Sequence, residues 1–257
     1  MEHLLLEQNG PVLYLTLNRP ESLNSFSPEM IIGLTEALRE AELSEEIKAV
    51  VLSGSGRSFS AGGDVKTMGQ VNGQQIYEHL GKLNECILTI KGLNKPVIAA
   101  VHGFAAGAAF NLALACDFIV AAEDSKFVMS FAQVGLISDG GGLYFLPRLI
   151  GAQRAKELFF TAEPIDARTA HSYGIVNRVV PIDQLKDEVS SFAFRLSQGP
   201  LQAFGQMKRI IEQSSCSRLE DILEQERLTQ AMMIETDDHQ EGIAAFKEKR
   251  KPEFQGK

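Results

Sequence analysis

Three apolar runs, AVVLSG (49–54), KPVIAAVHG (95–103) and FIVAAED (118–124), limit the chain's folding options more than any other feature. They are short, rich in Val, Ile and Ala, and apolar at successive positions, the pattern of strands buried on both faces. The connections between them are too long for hairpins, and helical segments follow. Strand, strand and helix therefore recur, and mostly parallel pairing in an α/β fold follows.

Ahead of these runs, HLLLEQ and VLYLTLN flank NGP and read as a hairpin. SPEMIIGLTEALREAE reads as a helix, with Ser27 as cap, Pro28 at the first position and Glu29 complementing the dipole. Its apolar stripe is Met30, Ile31, Leu34, Leu38 and Ala41. Residues 74–92 read as a second helix, and FAAGAAF leads into a buried helix over NLALACD. After Gly151 the pattern changes to amphipathic helices: AQRAKELFFTA, DARTAHSYG, DQLKDEVSSFAFRLS, PLQAFGQMKRIIEQS and LEDILEQERLTQAMMI, with one short strand, VNRVV, among them. The expected organisation is a core over residues 1–195 and a helical region over residues 196–257.

With 257 residues, 44% of them hydrophobic, the chain can bury one large core. Its net charge of −8 argues against nucleic acid and anionic membrane surfaces as partners, but leaves a small anionic ligand open. Cys86, Cys116 and Cys216 are odd in number and form no Cys-x-x-Cys pair, which speaks against a disulfide framework and a zinc site. His3, His79, His102, His171 and His239 have no metal-ligand spacing. The start, MEHLLLEQNG, has neither a basic segment nor a long apolar one, and no run approaches eighteen apolar residues. The expectation is a cytoplasmic protein with no metal and no membrane span.

Two glycine-rich loops follow strands, SGSGRSFSAGGDV (53–65) and VHGFAAGAAF (101–110). Small residues let a ligand approach the backbone and leave N–H groups free to meet it, and the second loop also feeds a helix N-terminus. Neither is a Walker A loop or a full dinucleotide fingerprint. Tight strand-to-helix packing is the simpler explanation of each taken alone. No Gly-x-Ser-x-Gly elbow anchors a serine triad. GLISDGGGLYFLPR (135–148) places one carboxylate, Asp139, between apolar flanks. Asp-Gly is common turn chemistry and Asp caps helices, so a structural role is available. Together, two backbone-donor loops and one carboxylate in an apolar loop suggest an oxyanion hole with a single acid–base group, suited to removing a proton next to a carbonyl.

The order LNRPESLNSF, GSGRSFSAGGDV, KPVIAAVHGFAAGAAFNLALACDFIVAAEDSKF, GLISDGGGLYFLPRLIG and EGIAAFKEKRKPEF resembles the crotonase superfamily of acyl-CoA hydratases and isomerases, over nearly the whole chain. The resemblance implies a spiral of ββα repeats with a helical C-terminal trimerisation region, and homotrimers or homohexamers. It implies an acyl-CoA substrate, whose coenzyme A enters as the thioester and not as a separate cofactor. It assigns the thioester oxygen to the N–H groups of Ala61 and Ala108, with Gly62, Gly63, Asp64, Gly107 and Phe131 lining the substrate. Adenosine and phosphate contacts would fall to Arg19, Lys66 and the basic tail Lys249, Arg250 and Lys251.

Hydratases of the superfamily use two glutamates, and those positions here are Asn111 and Phe131. An amide cannot serve as a general base and a phenyl ring cannot act at all, so a standard hydratase is disfavoured. Asp139 stands where certain isomerases and a dehalogenase of the superfamily carry their reactive aspartate. KFVMSFAQVGLISDGGG…LPR with the ending EGIAAFKEKRKPEFQGK is most similar to the ring-epoxide isomerases of phenylacetate catabolism. The resemblance thus implies isomerisation with Asp139 as the base. Two alternatives stay open. One is an aspartate-nucleophile dehalogenase with His79 as base, although this chain lacks the tryptophan of that enzyme. The other is a non-catalytic acyl-CoA-binding protein.

Overall fold

The computed structural model describes residues 2–64 and 71–257. Its main sheet runs β1 (Leu4–Asn9), β2 (Val12–Leu17), β3 (Ala49–Gly54), β4 (Val97–Val101), β6 (Phe118–Ala122) and β9 (Arg178–Val180), in that order. The first pair is the antiparallel hairpin around NGP; every later pair is parallel. A second sheet holds β5 (Phe104–Ala106), β7 (Lys126–Val128) and β8 (Ile165–Asp166).

Alternation along the strands explains why the three apolar runs are apolar throughout. Val50, Leu52, Val97, Ala99, Val101, Ile119 and Ala121 face the larger core, under α1 (Pro28–Leu43), α2 (Gly73–Gly92) and α3 (Ala108–Ala115). Ala49, Val51, Ile98, Ala100, Val120 and Ala122 face the opposite way, onto Leu185, Val189, Phe192 and Ala193 of a later helix, α7 (Leu185–Ser197). Both faces are covered, as a parallel sheet requires.

The first two helices start as their residue types dictate. Ser27 Oγ accepts the Met30 N–H at 3.2 Å, with Pro28 at the first helical position. Asn72 and Gln75 exchange side-chain-to-backbone hydrogen bonds of 3.0 and 2.9 Å, a capping box that opens α2.

Two isolated parallel bridges, Phe26 with Gly63 and Ser60 with Ala105, extend the second sheet towards the N-terminus. A repeat emerges: a strand in the main sheet, an extended segment in the second sheet, then a helix. It is β2, Phe26 and α1; later β4, β5 and α3; then β6, β7 and α4 (Gly142–Ile150). This is the expected spiral of ββα units, and each turn carries a loop from one sheet to the other.

The remaining helices are α5 (Ala152–Thr161), α6 (Ala167–Ser172), α8 (Leu201–Ser214), α9 (Leu219–Met233) and α10 (Asp237–Glu248). The boundary expected at residue 195 falls inside α7, because that helix packs on the outer sheet face as far as Leu196. The first helix beyond it is anchored to the core. Lys208 Nζ donates to Ile90 O and Asp117 Oδ2, both at 2.9 Å, and Lys91 pairs with Glu212 at 2.5 Å. The pattern did not reveal α4, which carries Pro147 inside it, nor α10, nor the short strands of the second sheet. Among the described residues no helix is long and apolar enough to cross a membrane, and no group of three or more acidic, His or Cys side chains could hold a metal ion.

Candidate active site

The first glycine-rich loop is shaped from behind by Asn24, which is fully buried and adopts a left-handed backbone (φ 54°). Its Nδ2 donates to Ser55 O and Ser58 O, both at 2.8 Å, and to Phe59 O at 3.2 Å, while its Oδ1 accepts the Arg19 N–H. One amide thus holds three carbonyls of the loop in place.

The N–H expected as a donor at Ala61 is already engaged within the protein. The Ala61 N–H is committed to Leu23 O at 2.8 Å and the Gly62 N–H to Ser60 Oγ at 3.0 Å, so neither is free for a ligand. The Gly63 N–H meets no acceptor among the described residues. Its direction follows from the peptide plane. Gly62 O accepts the Phe26 N–H at 2.7 Å, and in a trans peptide the next N–H points the opposite way. The opposite way is the β5 side, where Ser60 pairs with Ala105 and α3 begins.

Gly62 makes that approach possible. At φ +79° a Cβ on it would lie 2.3 Å from Ala106 O and 3.0 Å from Ala108 N. Only glycine fits so close to the start of α3. Ala108 is the first residue of that helix, where the N–H has no intrahelical acceptor, and the aligned peptides favour negative charge nearby. Gly63 and Ala108 therefore supply two neighbouring backbone donors.

Asn111, one turn into α3, ties the Asp139 backbone to the helix that carries the second donor. Its Nδ2 donates to Ser138 Oγ at 2.9 Å and to Asp139 O at 2.8 Å. Asp139 Oδ1 is buried with no hydrogen-bond partner, as is Asn111 Oδ1. Burial pushes the Asp139 carboxyl up to about 6, its own backbone N–H only partly opposing the shift. No cation pairs with Asp139 among the described residues. Such a group is a base at neutral pH and a far stronger one than an exposed aspartate. Gly107 (φ +53°) turns the chain into α3; a Cβ there would meet the Phe131 ring at 3.6 Å, so Phe131 walls the site beside the second donor.

Other expected residues fall elsewhere. Arg19 Nη1 donates to Ser25 O at 2.8 Å and lies 3.5 Å from Asp64 Oδ2, so the guanidinium braces the first loop. Arg250 in the tail is held by Glu241 and Glu248, at 2.5 to 2.8 Å, which answers its charge locally. Lys249 and Lys251 flank it on the surface. Lys66 lies outside the described residues. His79 is half-buried on α2, and desolvation, then Lys82, lowers it, favouring the neutral ring. Sequence reasoning did not show that the Gly63 N–H is the one left open in the first loop, nor that Asn111 links to Asp139. The only available signal for the first was the glycine pair itself.

The geometry predicts a pH profile. If Asp139 acts as base, turnover rises as it ionises, through about pH 6, and levels above. Steady-state rates from pH 4.5 to 8.5 check this, and a rate that is flat down to pH 4.5 would contradict it.

Residues 7–257 match the family model described as Enoyl-CoA hydratase/isomerase. The chain is 38% identical over 262 residues to the 1,2-epoxyphenylacetyl-CoA isomerase of Escherichia coli, with all of both chains covered. It is 33% identical to the trans-2-decenoyl-[acyl-carrier-protein] isomerase of Streptococcus mutans, over 100% of this chain and 99% of that one. A solved enoyl-CoA hydratase from Bacillus anthracis superposes with a TM-score of 0.95 at 32% identity, covering 99% of this chain and 100% of that chain.

Proposed function

The chain belongs to the enoyl-CoA hydratase/isomerase family and has the crotonase fold, and from that premise we propose that it is an acyl-CoA isomerase with Asp139 as its single acid–base group. One observation carries the reading. A half-buried carboxylate with no cation partner among the described residues and a buried, unpartnered Oδ1 sits on Asp139, while the positions that resemble the hydratase glutamates hold Asn111 and Phe131.

In this reading the Gly63 and Ala108 N–H groups hold the thioester oxygen. Asp139 takes a proton from C2 of a β,γ-unsaturated acyl group, and the electron pair passes into the thioester as an enolate that the two donors stabilise. The conjugated dienolate then takes a proton at C4 from the Asp139 carboxyl, after that acidic proton has had time to exchange with solvent, leaving the α,β-unsaturated thioester. No water is consumed and Asp139 ends as it began. Water addition would need one group to deprotonate water and another to deliver a proton to C2, and a single carboxylate divides poorly between those tasks. Ring-epoxide isomerisation on an aryl-acetyl thioester uses the same enolate-stabilising donors, and the Escherichia coli relative is named for that reaction.

The test is a β,γ-unsaturated acyl-CoA and its α,β isomer, each incubated in heavy water. Expected are conjugation of the first with deuterium entering the acyl chain, and negligible 3-hydroxyacyl product from the second. Hydration of the α,β isomer at a rate matching isomerisation overturns the reading.

Assembly is part of the proposal. Leu219, Leu223, Leu228, Met232 and Phe246 on α9 and α10 are all more than half exposed in the single chain. An apolar surface of that extent suits burial between subunits, with methionine adapting to its partner. Light scattering is expected to give three or six times the 28.2 kDa chain mass. A stable monomer at micromolar concentration would remove the trimer.

A further inference from the structure

We propose that Asn111 is the positioning residue for Asp139: its amide holds the turn over residues 138–142 in the arrangement that presents the carboxylate to the two backbone donors. The proposal rests on Asp139 being the base.

Asn111 is fully buried, and its two side-chain bonds run to the turn, at Ser138 Oγ and Asp139 O. The second partner fixes which way the amide faces. A carbonyl oxygen only accepts, so the reversed amide would set Oδ1 against it. Asp139 O is gathered further by the Gly142 N–H at 3.1 Å and Ser138 Oγ at 3.4 Å. The amide oxygen is left over. It lies against Gly142, where a Cβ would come within 2.3 Å of it, and finds no donor. A buried acceptor without a partner is unfavourable, and this one persists because the opposite amide edge is required on the turn.

The same contacts disfavour a carboxylate at residue 111 in this chain. A carboxylate there has no N–H to offer the Asp139 carbonyl, and its charge would lie beside that of Asp139. The shift of Asp139 has only desolvation and its own backbone as causes, with no other charged side chain contributing. A new charge at residue 111 would therefore be the dominant electrostatic neighbour.

Asn111→Asp keeps the shape, removes both donors and adds that charge. Expected is a kcat lower by ~10- to 100-fold, the scale of a displaced catalytic group, with KM for the thioester little changed. The acid limb of the pH–rate profile should also move to higher pH, since a like charge disfavours ionisation. Asn111→Ala removes the donors without the charge, so kcat falls but the limb stays off that higher value; it serves if the aspartate variant does not fold. The double variant Asn111→Ala with Asp139→Asn should be no slower than Asp139→Asn alone, because Asn111 acts through that carboxylate. A merely structural role predicts a different result: less folded protein, but wild-type kcat per folded enzyme and an unmoved limb. That result, with Asp139→Asn inactive, overturns the positioning role and leaves the base intact. A fully active Asp139→Asn removes the base itself.

Discussion

Asp139→Asn is expected to lower kcat by ~10²- to 10⁴-fold, the usual contribution of a general base, while leaving thioester affinity nearly unchanged. The same variant should be more stable than the wild type. Burial raises the carboxyl from 3.8 to about 6, and that interval corresponds to roughly 3 kcal/mol. The sign follows from the two end states. Above about pH 6 both folded and unfolded forms are ionised, and only the folded form bears the desolvated charge, so the cost is complete. Between pH 6 and 3.8 the folded form has taken up its proton while the unfolded form remains ionised, and the cost declines. Below 3.8 it is gone. Asparagine never bears that charge, so the gain in stability should be greatest at pH 8 and vanish near pH 4. Thermal melts at both pH values, beside single-turnover rates, check the pair of effects. Equal activity, or equal stability at pH 8, would return Asp139 to an ordinary turn residue.

The second large effect concerns a backbone atom. Ala108→Pro deletes one N–H at the first position of α3, the helical position where proline's fixed φ is tolerated and no intrahelical bond is lost. Loss of one oxyanion donor corresponds to about 2.7–4 kcal/mol, or ~10²- to 10³-fold in kcat. Circular dichroism should show the helix content retained. A folded variant with wild-type turnover would mean that Ala108 does not meet the substrate oxygen.

These two sites differ in how far the sequence discloses them. Asp139 stands out because its neighbours are apolar and its charge has no evident sequence partner. Ala108 stands out because small residues lead from a strand into a helix, and the first N–H of a helix is free by construction. Gly63 is different. Which N–H of Ser-Ala-Gly-Gly-Asp is free depends on Leu23 O capturing Ala61 and Ser60 Oγ capturing Gly62. The first of those partners lies far away in the chain, and nothing local reveals it.

The large elements were legible for a related reason. Met30, Leu34 and Leu38 recur at helical spacing, and the alternation in β3, β4 and β6 is masked only because both faces are buried. The second sheet was not legible. Strands of two or three residues, and single bridges at Phe26 and Ser60, leave no period to detect. Nor does the sequence show that Arg19 also braces the first loop through Ser25 O and Asp64.

The main sheet has a consequence for how the protein is made. Its strand order, β1, β2, β3, β4, β6, β9, is also the order of synthesis. Each strand that leaves the ribosome finds its partner already at the growing edge, with no later strand to be inserted between neighbours. Chains of this size generally fold in stages as they emerge. The two donor loops can therefore meet once β5 and α3 have emerged, before Asp139 leaves the ribosome. The carboxylate joins a cleft that exists, and α7 closes the outer face only after β9 is in place. Until then the apolar outer face of the sheet is open, which makes the interval between β6 and α7 the stretch of synthesis when the nascent chain most needs shielding from its neighbours.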